Sequence, residues 1–209
     1  MVDVHETIAD VASEKAADEA DTRFRNRAAL LIAILAAVLA IVSLGGGNAT
    51  DEMLFHNIRA SDTWAFYQAK NVRQTQYKVA VDDLKRDLAE LNPASPQAQA
   101  LAGDIAKYTG TIERYDSEPD PKAPNDPTAG EGKKELMAKA KTHEAARDKA
   151  MAQDTAFDLA EMILQLAIVL GSVAILALSR PLFWTSAALG VLGAVLALNG
   201  FFLLFEIPF

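Results

Sequence analysis

The sequence predicts an all-α integral membrane protein, with three transmembrane helices and an extramembrane antiparallel helical hairpin of coiled-coil character. Two observations carry the prediction. The apolar residues of the 209-residue chain collect in three uncharged blocks instead of spreading evenly, and each block approaches the roughly 20 residues that span a bilayer core. Between the first and second blocks lies a polar, Ala-rich stretch in which apolar residues recur every seven positions, the spacing of helices that pack side by side.

Residues 1–27 are acidic. Val4, Ile8 and Val11 fall at i, i+4 and i+7, which fits a weakly amphipathic helix, a frayed tail being the other reading. The first span, residues 28–47, starts at Ala28-Ala29-Leu30 and closes on Gly45-Gly46-Gly47. A soluble core helix is seldom uncharged all round for that length. A cleaved signal peptide would have a short basic start and a shorter apolar stretch, so the acidic lead-in argues for a retained span.

Residues 48–157 form the predicted extramembrane region. Proline is absent from Asn48 to Leu91, so one long helix should continue out of the first span. Ile58, Ala65, Val72 and Val79 repeat every seven residues, and Tyr77, Val81, Leu84, Leu88 and Leu91 step by four and three. Together they predict a coiled-coil-like seam, with Ser61 and Gln68 as weak positions. Asn92-Pro93 should end this helix. Ser95 before Pro96 is an N-cap with proline at the first helical position, which predicts a second helix to about Tyr115. The stretch 118–132 holds Pro119, Pro121, Pro124, Pro127, Gly130 and Gly132 and predicts an irregular linker. A third helix should start near Lys133 and enter the second span, residues 158–179, without a break. The third span covers residues 182–205. At 1.5 Å per residue the long arm measures roughly 65 Å and the two returning helices together roughly 70 Å, so they can run back beside it. Such a hairpin buries little apolar surface alone and calls for further partners.

Basic residues set the expected orientation. Arg23, Arg25 and Arg27 precede the first span, Asp51 and Glu52 follow it, and Arg180 occupies the turn between spans two and three, with Asp158 and Glu161 at the other end of span two. The N-terminus and Arg180 should be cytoplasmic, and residues 48–157 and the C-terminus outside, although Arg147 and Lys149 oppose this at the outer end of span two. Phe183 and Trp184 would mark the inner interface, and Phe201, Phe202, Phe205 and Phe209 the outer one.

The chemistry that the sequence excludes is broad. A net charge of −8 without a basic stripe sets nucleic acid aside. Cysteine is absent, so thiolate ligands and nucleophiles are ruled out. His5, Glu6 and Asp10 make a poor metal set at a chain terminus. His56 and His143 lie on different helices and read as solvated or packed residues. Gly130-Glu131-Gly132-Lys133-Lys134 lacks the first glycine and the Ser or Thr of a phosphate loop. The run Asp82, Asp83, Asp87 and Glu90 is interleaved with Lys78, Lys85 and Arg86, as on a solvated helix face. No nucleophile with a base and no cofactor loop stands out, so a non-enzymatic protein without cofactors or metals is expected.

The interface candidates follow from what the hairpin cannot bury. Trp64 and Tyr67 share one side of the helix while Phe66 points elsewhere; they either pack on the third helix or serve a subunit interface. Ile58, Val72, Leu84 and Leu88 extend that surface along the arm. In the spans, Gly171, Gly190 and Ala194 belong to small-residue rows that permit close helix contact within or between chains. Glu161, Gln165 and Asn199 are intramembrane polar residues. Glu161 and Asn199 lie equally far along the chain from Arg180, which predicts a hydrogen bond between them at one depth, with Gln165 a turn deeper.

The segment Ser61-Asp62-Thr63-Trp64-Ala65-Phe66-Tyr67-Gln68-Ala69-Lys70, the run Phe157-Asp158-Leu159-Ala160-Glu161, an N-terminal His5-Glu6 and the final two-span hairpin resemble an uncharacterised family of bacterial inner-membrane proteins, classed as a domain of unknown function. The resemblance covers nearly the whole chain and is most specific at W-A-F-Y-Q-A-K. It implies the architecture and a bacterial inner membrane, and it brings no activity or substrate. The function expected is that of a homo-oligomeric scaffold or an accessory subunit of a larger membrane assembly, with the lipid bilayer and other membrane proteins as partners. The alternative is an oligomeric channel or transport component with Gln165, Ser172, Asn199 and the triple glycine as suspects; the scarcity of polar residues in the spans counts against it.

Overall fold

A computed structural model describes the backbone of residues 4–207 and the side chains of residues 14–207. The side chains of His5, Glu6 and Asp10, set aside above as a metal site, those of Val4, Ile8 and Val11, and the terminal Phe209 therefore lie outside the described residues. Four helices follow in order: α1 Val4–Ala89, α2 Pro96–Asp116, α3 Lys133–Ala177 and α4 Arg180–Phe202. The β structure among the described residues amounts to an isolated bridge between Pro119 and Gly130. Parts of α1, α3 and α4 are long and apolar enough to cross a membrane.

α1 runs unbroken through the acidic lead-in, the first apolar block and the arm. It closes two residues before the expected Leu91: Glu90 and Leu91 donate to Asp87 and Leu88 O in tight turns, and the Asn92 side chain accepts from Ala94 N. The Ser95 hydroxyl accepts from Ala98 N at 3.2 Å and caps α2, as its position before Pro96 predicts. α3 enters the second apolar block without interruption. α4 stops at Phe202, short of the expected Phe205, because Asn199 takes over the next amides: its carbonyl accepts from Leu203 N and its Oδ1 from Phe205 N.

The chain forms two compact units, one of Met1–Asp51 with Lys149–Phe209 and one of Glu52–Asp148. In the first unit, Leu35, Val42, Ala49, Phe157, Ala160, Leu164, Ala167 and Ala197 form the core where α1, α3 and α4 meet. Glycines set the approach. The Phe157 ring lies where side chains on Gly45 and Gly200 would reach, 2.9 and 2.7 Å from the Cβ each lacks. Leu35 fills the notch at Gly190, and Leu164 that at Gly193. Ser186 Oγ donates to Ala167 O at 2.7 Å and closes α4 onto α3. This is the close packing that small residues permit between apolar helices, here within one chain.

In the second unit, α2 and the start of α3 run antiparallel to the arm part of α1. Tyr77 packs on Tyr108 and Tyr115, Gln74 meets Ile112, and His56 meets His143. The inward seam of the arm comprises the buried or half-buried Met53, His56, Ala60, Thr63, Tyr67, Lys70, Gln74, Tyr77, Val81, Leu84 and Leu88 and, just past the end of α1, Leu91, in alternating steps of three and four. Leu84 and Leu88 are seam residues, as the spacing predicts. Ile58, Ala65, Val72 and Val79 are not; they face outward. The seam keeps one phase along the whole arm, and in its lower half that phase falls on polar side chains that find partners.

Candidate interaction surface

The polar half of the seam is fully paired. Lys70, with its side chain 7% exposed, donates to Glu131 O and to Glu118 Oε2 at 3.3 Å, and its ammonium also lies over the rings of Phe66 and Tyr115. Gln74 donates to Ile112 O at 2.8 Å and accepts from Lys133 Nζ at 2.6 Å. Lys133 also pairs with Asp116 at 3.1 Å. Buried polar groups are tolerable when bonded in this way.

These contacts order the proline-rich linker, which is non-helical as expected but closed at its base. Glu135 accepts from Ser117 Oγ at 2.6 Å and from Glu118 N at 3.1 Å, and Glu131 N donates to Glu118 O at 3.0 Å. Gly130, at φ 137°, holds a conformation that side chains disfavour. The glycines near the rejected phosphate-loop pattern thus serve the closure of the linker.

Trp64 donates to Glu144 Oε1 at 2.8 Å, which ties it to α3 within the arm, and sets its ring edge-on against the half-buried Tyr67. Phe66 flanks the packed side, with the Lys70 ammonium over its ring, and stays 41% exposed. The W-A-F-Y-Q-A-K run therefore places Trp64, Tyr67 and Lys70 one turn apart on the packed side.

His56 and His143, which the sequence leaves on separate helices, meet at 3.0 Å through their Nδ1 atoms. The signal was their shared seam phase: His56 lies three residues after Met53, and His143 three after the buried Ala140. One ring must donate and the other accept, so the contact requires at least one neutral imidazole. Burial first, and then the charges of His56, Lys139 and Arg59, hold His143 below the free value of 6.5. Glu52 sits 3.9 Å from the His56 Nε2. Because the folded pKa of His143 is depressed, the unfolded chain takes up its proton first, and stability falls as pH drops through the free value. Thermal melts should show a lower midpoint at about pH 5.5 than at about pH 7.5, and His143→Asn should flatten that step. Asp116 is held low by Gln74 and then Lys133. Burial pushes Glu135 up, but the Ser117 hydroxyl and the Glu118 amide outweigh it and leave the carboxyl low. Both contributions vanish only in stronger acid, as pH falls through the depressed values, so they leave the histidine window clear. An unchanged midpoint across it would show that the imidazole contact does not support the fold.

The side of the arm opposite the seam carries an apolar stripe. Ile58, Val72 and Val79 are 58%, 55% and 56% exposed, with Ala65 between them at the same seven-residue spacing. In the first unit, Glu161 accepts from Ser43 Oγ at 3.0 Å and from Gln165 Nε2 at 3.1 Å. The expected bond between Glu161 and Asn199 is not made, because Asn199 turns to cap α4 and is buried. Gly171 faces Ser186 and Ile32, Gly190 takes Leu35, and Ala194 is partly buried. Among the described residues, no group of three metal-ligating side chains is present.

A family model described as a domain of unknown function, DUF4337, matches residues 24–203. The chain belongs to this family. The match runs from the last turn before the first apolar block to the end of α4, so it takes in the second unit and most of the first. No curated protein and no solved structure matches the chain.

Proposed function

We propose that this protein is a non-enzymatic scaffold of a bacterial inner membrane, which self-associates through the outer stripe of its arm and serves as an accessory subunit to other membrane proteins. Its N-terminus and Arg180 face the cytoplasm, and residues 48–157 and the C-terminus face the periplasm, on the arginine distribution about the spans. The observation that carries the reading is the stripe of Ile58, Ala65, Val72 and Val79. The intramolecular seam is already filled, yet a second apolar row of coiled-coil spacing faces outward. A row of that kind is complementary to a second copy of the same helix.

Native mass spectrometry of gently extracted protein tests this. The wild type should give one mass at a whole-number multiple of the chain. Ile58→Glu/Val72→Glu should release single chains while keeping the helical circular dichroism, because both side chains are solvent-facing in the single chain. A wild type that flies as a single chain, or a variant that stays assembled, removes the proposal.

A second reading, a pore between subunits, is favoured by one observation. Ser43, Glu161 and Gln165 form a hydrogen-bonded polar row at the outside of the bundle, where hydrocarbon alone would be a costly neighbour. Ion flux in liposomes that disappears in Glu161→Ala would support it; absent flux in the wild type would remove it.

A further inference from the structure

The first unit carries a cavity of about 440 Å³ that the scaffold reading does not use. Arg23, Phe24 and Arg27 of α1 line one side, and Arg180, Phe183 and Trp184 of α4 the other. Phe24 and Phe183 meet edge to face at 5.8 Å, and Phe183 and Trp184 at 5.5 Å, so an aromatic floor joins the two helices. No acidic residue lines the cavity, in a chain whose net charge is −8. Arg23 is engaged by Glu19 at 2.9 Å. Arg27 and Arg180 make no ion pair among the described residues, and both are exposed. Two free guanidiniums thus converge on a space of ligand size. They do so where the apolar stretch of α1 begins and at the first residue of α4, both helices apolar enough to cross a membrane, beside the aromatic side chains that mark a headgroup layer.

We infer that this cavity binds the headgroup of an anionic phospholipid, with the phosphodiester held between Arg27 and Arg180 and the glycerol end lying on Phe183 and Trp184. The guanidinium fork suits phosphate oxygens. Basic pockets between helices at the membrane surface are suited to such headgroups. The floor of Phe24, Phe183 and Trp184 favours a ligand with an apolar continuation over a bare ion. The inference rests on α1 and α4 crossing a bilayer and not on self-association.

The test uses the full chain in nanodiscs of mixed zwitterionic and anionic phospholipid, read by native mass spectrometry of the lipid retained on release. The wild type should retain one anionic lipid per chain in preference to the zwitterionic one. At about fivefold per arginine, Arg27→Gln/Arg180→Gln should lower retention roughly 25-fold. Arg27→Lys/Arg180→Lys should keep part of it, and Arg86→Gln, far along the arm, should change nothing. Equal retention of both lipids, or retention unaffected in the glutamine variant, overturns the inference. Displacement of the lipid by millimolar inorganic phosphate also overturns it, in favour of a free-anion site. Carbonate extraction of the source membrane separates these failures from a failure of the membrane reading, since a chain that does not span is released whatever lipid it prefers.

Discussion

Phe157→Ala is expected to destabilise the first unit by about 3 kcal/mol, at the low end of the range for removing a buried phenyl ring. Phe157 is 3% exposed, and its ring is held on several sides. It abuts Gly45 of α1 and Gly200 of α4, its Cβ approaches Gly46, and Phe201 meets it edge-on at 4.8 Å. One side chain therefore joins all three helices, and helices in lipid are held mainly by such packing. The part of the cost that comes from transfer out of water is reduced where lipid or detergent can reach the gap, which holds the loss to the low end. Against a total stability of about 5–15 kcal/mol the loss is large. Thermal unfolding in mild detergent should show it.

A double-mutant cycle separates this packing from general weakening. Gly200→Ala places a methyl 2.7 Å from the Phe157 ring and should be costly alone, but nearly harmless once the ring is gone. Gly47→Ala is the control. Nothing lies within 4 Å of its added Cβ, so alanine should be neutral or slightly stabilising within the helix. Strict additivity between Phe157→Ala and Gly200→Ala would refute the idea that glycine makes the slot for the ring.

How far the fold was legible can be traced along α1. The three apolar blocks, Ser95 before Pro96, and the proline cluster each carry a local signal that no tertiary contact overrides, and the helices follow them. The seam behaved differently. From Tyr77 to Leu91 its residues are apolar and the periodicity shows. Below Tyr77 the same phase falls on Gln74, Lys70 and His56, while the apolar residues Ile58, Val72 and Val79 lie on the outer face. A reading that follows hydrophobicity jumps from one face to the other at that point. A reading that kept the phase of Leu88, Leu84, Val81 and Tyr77 and counted back by three and four would have reached Gln74, Lys70 and His56. The fates of the polar groups were less legible. The spacing pointed Asn199 to Glu161, whereas capping α4 locally requires no partner from another helix.

Lys70→Ala should cost the arm about 2–3 kcal/mol and loosen the linker, since charged hydrogen bonds contribute roughly 1.5–3 kcal/mol each. The side chain is buried, and its ammonium draws in groups from both ends of the linker, Glu118 and Glu131. Breaking a fully buried ion pair costs about 3–5 kcal/mol, but here the Glu131 side chain is 71% exposed and the Glu118 side chain 36%, so the carboxylates can turn to water and the loss is smaller. Lys70→Met distinguishes the contributions. Methionine keeps most of the packed stem but lacks the charge and the donors to Glu131 O. If the ammonium fastens the linker, the methionine variant should melt nearly as low as the alanine one, and amides of residues 117–132 should exchange faster in both. If Lys70→Met instead melts with the wild type and the linker amides stay protected, the stem packing holds the linker and the ion pairs contribute little. The outer stripe gives this measurement its functional weight. Lys70 belongs to the seam between Tyr67 and Gln74, and the phase of that seam turns Ile58, Val72 and Val79 outward. If the arm self-associates through that stripe, as proposed, a linker that came loose would free the arm to turn its apolar row inward, and Lys70→Ala should weaken assembly even though Lys70 itself faces inward.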